Sequence, residues 1–501
     1  MHFLTPVRRR GVALALAWLT AWPLLATETP ARPHRLLIDH DGHLLFSTLT
    51  TNYRADVDEE VREIPANVTT YLLCSGAGRT YFPTKVGLVD PNLKQLIAEH
   101  AKGNDPFGYF LEKLKASGRE TFVEFRMNDV HNPTDPNHWN MPLVREQHPD
   151  VIARPEAAAR NDPEWLNWSL DFSNPKANAY VTAMLREVVE KYAPVMDGLQ
   201  MDWMRFPRHL SGVGDEVWAK RAVLTRIVEQ TRELTKAHGL KLAVRVPSTL
   251  RGCRVLGLDV EDWVKRGLVD FVVVSEFLDT DYTMPIAEFR AKFGPAMPIY
   301  ASVEIEHGWQ FHCPESLRAT ATGLYDCGAD GISLFNFVGR YTFGAVPYDW
   351  LAGLESPATA AKKPLLYSLP VNKYRKEMDQ PAVLPVSVPA HSTVKLPLTL
   401  PGLALPAWRA RLLIAADAPL VVTLNGQAVE LVPTLHPTEM FVEFIPAANN
   451  FSNIGSHRPA REQSHFYRFE AAGLQAGANT LELRNDTDQA IEVKRVNLGL
   501  W

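Results

Sequence analysis

The stretch FRMNDVH sets Arg126, Asn128, Asp129 and His131 within six positions, at the end of an apolar run that begins at Phe122. Asn and Asp suit a turn. An arginine and a histidine beside them need another reason. Arg126 follows a buried strand, so its charge needs a partner, either a protein carboxylate or an anionic ligand. Other apolar runs end in the same way. IDHDGH carries Asp39 and Asp41, and QMDWMRFPRH carries Asp202, Trp203 and Arg205. Arg245 precedes Pro247, Glu276 follows FVVVS, and SVEIEHGW brings Glu304, Glu306 and His307. FNF brings Asn336, an uncharged donor and acceptor for a ligand hydroxyl or amide. Each has a plain structural explanation. Asp41 before Gly42 makes a turn, Asp129 caps a loop, and Asp202 pairs with Arg205 or Arg126. Of the two acids in IDHD, Asp41 is preferred for a functional role, with Asp39 second. Taken together, carboxylates, arginines, an amide and aromatic rings suit a polyhydroxylated substrate that also carries negative charge.

Such residues act together only if the strands that carry them end at one place. The runs Arg35–Asp39, Thr70–Cys74, Thr121–Arg126, Asp197–Asp202, Lys241–Val246, Asp270–Val274, Pro298–Val303 and Asp330–Phe335 read as strands. Helical patterns such as Ala179–Tyr192, Arg221–Gly239 and Pro314–Gly328 lie between them. Gly at a helix end and Pro at a helix start are the expected stop and start signals. Strands alternating with helices predict a parallel α/β sheet. Eight such units predict a (β/α)8 TIM barrel over residues 34–355, with an open doubly wound sheet as the alternative. No GxGxxG follows the first strand, which leaves dinucleotide binding without support. In a barrel, chemistry sits where the strands end. The long segment Asn132–Phe172, with Trp165 and Trp168, reads as a wall of that pocket. Trp203, Trp165 and Trp168 are candidates to stack on sugar faces, or to pack.

The chain of 501 residues is 46% hydrophobic and 22% charged. That is an ordinary globular balance with room for two domains. Arg8, Arg9 and Arg10 stand ahead of the apolar run Gly11–Ala26. This pattern reads as a secretory signal peptide over residues 1–27. Export to the periplasm or beyond, with no membrane span after cleavage, is the expectation. Cleavage would remove three of 52 basic residues and none of 57 acidic ones, taking the formal charge from −5 to −8. An acidic surface argues against nucleic acid as a partner. The four cysteines form no CxxC and no His/Cys cluster. Neither a disulfide scaffold nor a structural zinc site is therefore expected. No cofactor and no metal are expected, and association as a homodimer stays open. Past Pro364 the helical patterns stop. Pro-rich alternating segments and the turn LNGQ predict a β-sandwich over residues 365–501, jelly-roll-like, as a packing partner for the barrel or a sugar-binding module.

The segment NPKANAYVTAMLREVVEKYAPVMDGLQMDWMRFP resembles the glycosyl hydrolase-like family 10 group of barrels. The set IDHDG, FRMNDVH, MDWMRFP and GADGISLFNF further resembles the inverting sialidases of glycoside hydrolase family 156. The likeness covers the barrel, and a β-rich C-terminal region is expected with it. It implies that Asp41 and His131 activate the attacking water, and that Arg126, Arg205 and Asn336 hold the sialic acid. Asp39, Asp129 and Asp202 remain as further sugar contacts, and the general acid is left open. The chemistry is coherent. A carboxylate attacking an anomeric carbon that itself bears a carboxylate meets like charge, whereas a histidine deprotonates water without adding negative charge.

The expected substrates are therefore sialylated glycans, or other terminal sugars. Three competing readings share the barrel: a glycosidase for neutral or uronic sugars using a carboxylate pair such as Asp202 with Glu304, a non-catalytic carbohydrate-binding protein, and a polysaccharide lyase.

Overall fold

The computed structural model describes residues 34–130, 141–153, 168–304, 306–307, 310–336, 348–371, 382–407, 409–434 and 463–501, the hairpin residues 306, 307, 310 and 311 by backbone alone. The expected signal peptide, His131 and Trp165 lie outside these residues. Residues 34–501 form one compact unit.

Eight strands close into a parallel barrel: β1 Arg35–His40, β2 Thr70–Cys74, β3 Glu120–Arg126, β4 Gly198–Asp202, β5 Lys241–Pro247, β6 Phe271–Ser275, β7 Ile299–Val303 and β8 Gly331–Phe335. They neighbour one another in chain order, and β8 pairs back onto β1. Each lies within one residue of its predicted bounds. The reason is local: short β-branched and apolar runs between Gly and Asp punctuation are buried on both faces here, as a parallel barrel requires. The helices are set by their ends. The helix Pro175–Tyr192 starts earlier than the apolar period alone predicts. Asn174 accepts a hydrogen bond from the Lys176 amide there, and Pro175 takes the first helical position. Both are start signals that act ahead of the apolar stripe. Gly239 and Gly328 leave their helices with φ of 71° and 98°, values that glycine adopts freely.

The barrel interior is stacked in layers. At the floor, where strands begin, Glu120 takes hydrogen bonds from Arg35, Lys241 and the Thr70 hydroxyl. Above it Leu37, Leu72, Phe122, Ala243, Phe271, Val273 and Tyr300 form a separate apolar plug. A larger apolar core lies outside the strands, under the helices. A closed floor and a dry plug leave polar chemistry one place to go, the upper third of the barrel, where the strands end.

The C-terminal region is an antiparallel sheet of nine strands, which is curled so that its residues share one core. Its strand Leu365–Ser368 pairs with the last strand, Ile491–Leu500. Asn425 and Gly426 have φ of 50° and 80°. They form the tight turn between paired strands that LNGQ leads one to expect. The predicted strand in EMFVEFIP lies outside the described residues. The core of this sheet takes in Tyr282 and Ala319 of the barrel, and the Tyr282 hydroxyl donates to the Thr399 carbonyl at 3.0 Å. It is thus packed directly on the barrel helix Pro314–Asp326. Among the described residues, no helix is long and apolar enough to cross a membrane.

The β8–β1 seam is tight at its lower end: a Cβ added to Gly331 would collide with the Arg35 carbonyl oxygen. Gly331→Ala should lower stability by about 1–3 kcal/mol through forced backbone displacement, read as a lower denaturant midpoint. An unchanged midpoint would refute a rigid seam.

Candidate active site

Parallel strand partners share a face, so the register carries polar side chains inward in rows. Arg126, Asp202 and Arg245 are partners across β3, β4 and β5, Glu124 pairs with Gln200, and Asp39 pairs with Phe335. Two guanidiniums organise what results. Arg245 is 1% exposed. Its Nη1 donates to both oxygens of Asp202 at 3.1 and 3.2 Å, and its Nη2 donates to the Ser275 hydroxyl at 2.8 Å and to Glu304. Its planar end lies 3.6 Å from the centre of the Phe335 ring, a cation–π distance.

Arg126 sits nearer the mouth. Nη2 donates to Asp41 at 2.5 Å and to the Asn336 side-chain oxygen at 3.0 Å, and Nη1 donates to Asp129 at 3.1 Å. Its Nε lies 3.5 Å from Glu124. The sequence allowed Arg126 a protein carboxylate or an anionic ligand, and the structure gives it protein carboxylates. Arg205 reaches the same group from the loop after β4, with Nε 3.8 Å from Asp129, and is the more exposed guanidinium. The backbone bends sharply where these residues emerge: Phe206, next to Arg205, and Asn336 have φ of 51° and 53°. Non-glycine residues rarely hold such values unless their surroundings enforce them.

Six buried acids, Asp39, Asp41, Glu124, Asp129, Asp202 and Glu304, face two buried arginines. Full ionisation would leave an uncompensated buried charge, which is strongly destabilising. The excess is relieved by protonation in the deepest acids. Burial, then the neighbouring charge of Asp202, raises Asp39 to about 7. Burial, then Asp39, raises Glu124 well above the carboxylate range. Burial also pushes on Asp41, but Arg126, His43 and Arg205 outweigh it and hold its pKa low. The two acids of IDHD are thereby separated in chemistry. Asp39 is sealed, accepts from the Gln200 amide at 3.0 Å and shares the proton load. Asp41 is 8% exposed, ionised and at the rim. Environments that push neighbouring carboxyls apart mark acid and base positions.

Of the residues singled out from sequence, Asp41, Arg126, Asp129, Arg205 and Asn336 come together at the mouth. Asp39 and Asp202 lie beneath it, and Asp202 pairs with Arg245 rather than with Arg126 or Arg205. His131 lies outside the described residues, as does Ile305 in the run with Glu304. Asn128 shapes the loop: its amide donates to the Arg208 carbonyl at 2.7 Å and its oxygen accepts from the Leu170 amide at 2.9 Å. Trp203 is fully buried against Phe172, His209 and Trp263, so it offers no face to a sugar. Trp168 carries the Arg145 guanidinium 4.7 Å above its ring. It lines a narrow cleft that runs from Arg126 and Asp129 along the hairpin Gly76–Thr80 to the helix Pro175–Tyr192. Among the described residues, no group of three or more His, Cys, Asp and Glu is placed to hold a metal ion. Glu124 and His40 were missed in the sequence. A glutamate inside an apolar strand was a readable sign of the first. The second gains meaning only once the fold packs it against Tyr71 and Phe110.

No protein-family model matches the chain, and no curated protein matches it. Several solved structures are similar to the chain at low identity. The glycoside hydrolase domain of PgaB (BpsB) from Bordetella bronchiseptica is 11% identical over 65% of this chain and 99% of its own, with a TM-score of 0.43. Alpha-L-fucosidase isoenzyme 1 from Paenibacillus thiaminolyticus is 13% identical over 91% and 97%, with a TM-score of 0.34. An alpha-amylase from Lactobacillus plantarum is 9% identical over 90% and 99%, with a TM-score of 0.38. Likenesses of this size carry nothing about activity.

Asp39 yields a test of the charge layer. Its proton-bound form in the folded protein contributes stability that is complete below its unfolded pKa of about 4. That contribution is lost as pH rises through about 7, as proton linkage requires. Asp39→Asn removes this dependence. Its stability relative to the parent, from denaturant melts, should therefore rise between about pH 4 and 7 by an amount on the order of 1–3 kcal/mol. A difference that stays constant over this range would contradict a protonated Asp39.

Proposed function

We propose that the chain is a glycoside hydrolase, and within that class an inverting exo-sialidase that releases terminal sialic acid outside the cytoplasm. One observation carries the reading: an ionised Asp41, clamped by Arg126 at the barrel mouth, in one hydrogen-bonded group with Asp129 and Asn336 and beside Arg205. His131 follows Asp129 by two positions in the sequence.

The roles follow from what each group has left to give. His131 takes a proton from the attacking water, and Asp41 orients the imidazole and stabilises its charged form. Asp41 can do so because Arg126 keeps it ionised. Arg126 itself spends Nη1 and Nη2 on protein acceptors and is 1% exposed in its side chain, so it acts as a positioning residue. The substrate carboxylate is assigned instead to Arg205, the more open guanidinium. Asn336 spends its oxygen on Arg126, which leaves its amide N–H groups for a ligand oxygen. The carboxylate-pair alternative has less support. Asp202 and Glu304 are both bound to Arg245 and no more than 1% exposed, below the depth a sugar would reach.

Aryl sialosides should be turned over with release of the opposite anomer, followed by proton NMR. His131→Ala and Asp41→Asn should each lower kcat/KM by about 10²–10⁴-fold. Retained configuration, or unchanged turnover by His131→Ala, would sink the water-activating role. A second series separates the two arginines: Arg205→Ala should raise KM for a sialoside far more than for any neutral glycoside the protein accepts. Equal effects would take Arg205 off the substrate carboxylate.

A further inference from the structure

Asp41 sits between a histidine and a glycine, and those two neighbours are tied to each other. Successive side chains of a strand point to opposite faces. Asp39 faces into the barrel, where it accepts from Gln200 at 3.0 Å, so His40 points out, under the helices. Its ring is buried, 5.8 Å from the ring of Tyr71 and 5.7 Å from that of Phe110. A leucine would fill such a place without the cost of burying two ring nitrogens. The imidazole does what a leucine does not: its Nδ1 accepts a hydrogen bond from the Gly42 amide at 2.8 Å. Gly42 is itself packed in. It holds φ 78°, and a Cβ there would lie 3.0 Å from the Tyr81 ring and 3.2 Å from the Cys74 carbonyl oxygen, so a glycine is needed to make this turn. On the far side of the ring, Nε2 lies 3.9 Å from Oε1 of Glu60, a buried acid that accepts from the Tyr348 hydroxyl at 2.7 Å.

We infer that His40 is a positioning residue of the proposed hydrolysis: with the Gly42 amide it closes a clasp around Asp41 that aims the Asp41 carboxylate at Arg126. The inference rests on the glycosidase reading for its effect on turnover, and on geometry alone for the clasp. Before Asp41, His40 is held in the sheet by its pairing with Leu73. After Asp41, Gly42 is held by the His40 ring. The backbone on both sides of Asp41 is thus closed into one small hydrogen-bonded loop. Asn and Asp side chains hold turns in the same way, through an amide two residues on. Arg126 Nη2 meets Asp41 Oδ1 at 2.5 Å, a contact that lasts only while this backbone holds still. The clasp needs a lone pair on Nδ1, hence an imidazole that carries its single proton on Nε2, toward Glu60. Burial favours this neutral form and takes the His40 pKa down to about 3. A misplacement of about one ångström near the chemistry costs on the order of 100-fold in rate, which sets the scale of what the clasp protects.

Two replacements set activity against stability. Leucine fits the apolar surroundings and accepts no hydrogen bond. Asparagine suits them less, but its side-chain oxygen can accept from the Gly42 amide. His40→Leu should therefore match or exceed His40→Asn in denaturant midpoint, yet lose about 10–100-fold in kcat with KM within about threefold of wild type. His40→Asn should keep kcat within about fivefold. Both are assayed on aryl sialosides and on aryl glycosides of neutral sugars. Losses that follow the stability order, or that are equal in the two variants, would show a merely structural histidine and overturn the inference. A second measurement reads the clasp without turnover, by NMR of wild type carrying a labelled nitrogen isotope at histidine. The imidazole signals that either variant lacks should show, at neutral pH, a proton on Nε2 and an accepting Nδ1. A proton on Nδ1, or on both nitrogens, would overturn the clasp. Failure of the hydrolase reading looks different: wild type turns over neither class of glycoside while the spectrum still shows the clasp, and the role in turnover falls with that reading. Turnover of neutral glycosides alone would sink the sialidase reading, and the two variants are then compared on those sugars.

Discussion

Everything at the mouth depends on two guanidiniums that have been taken out of water. Arg126 and Arg245 are buried beside the same aromatic ring, Phe335, and each is surrounded by carboxylates. Desolvating an arginine is costly unless it is paired, and here the Nη groups of both are held by acids that would themselves be intolerable in a barrel without them. Neither set is stable alone. The layer is held by mutual need rather than by any one strong bond, which is why strand register matters so much: a slip of one residue would turn every charge outward.

The excess of acids over arginines then distributes protons by depth. Asp39 and Glu124, far from solvent and crowded by like charge, are driven toward their neutral forms. Asp41, one repeat of the strand pattern higher, is held ionised against the pull of burial, chiefly by Arg126. Two carboxylates separated by a single residue thus differ in how readily they give up a proton. The proposed chemistry uses the upper one, and the lower one sets the electrostatic floor on which it stands.

The rest of the architecture keeps this arrangement from leaking. Below, the plug around Phe122 and Phe271 and the floor around Glu120 exclude water. On the side, the C-terminal sheet buries Tyr282 and Ala319 in its own core and so braces the helix that leads into β8. Asn336, which closes the ring on Arg126, follows directly from that strand, so bracing it stabilises a contact at the mouth.

Much of this was legible in the sequence. The eight strands were readable because barrel strands are short, apolar and punctuated, and because alternating periodicity is a local property of the chain. The strand ends were readable for the same reason, and Asp41, Arg126, Asp129, Arg205 and Asn336 all lie where that pattern put them. What stayed hidden was partnership. Whether Asp202 meets Arg126 or Arg245, whether Trp203 faces a sugar or the core, and which of Asp39 and Asp41 is ionised are all decided by depth and register. Those depend on how distant strands align when the barrel closes. Sequence determines which groups are offered at the strand ends, because secondary structure is set by near neighbours. Only the tertiary structure decides which of them are desolvated together, and desolvation is what turns a charged residue into a proton donor, a proton acceptor or a clamp.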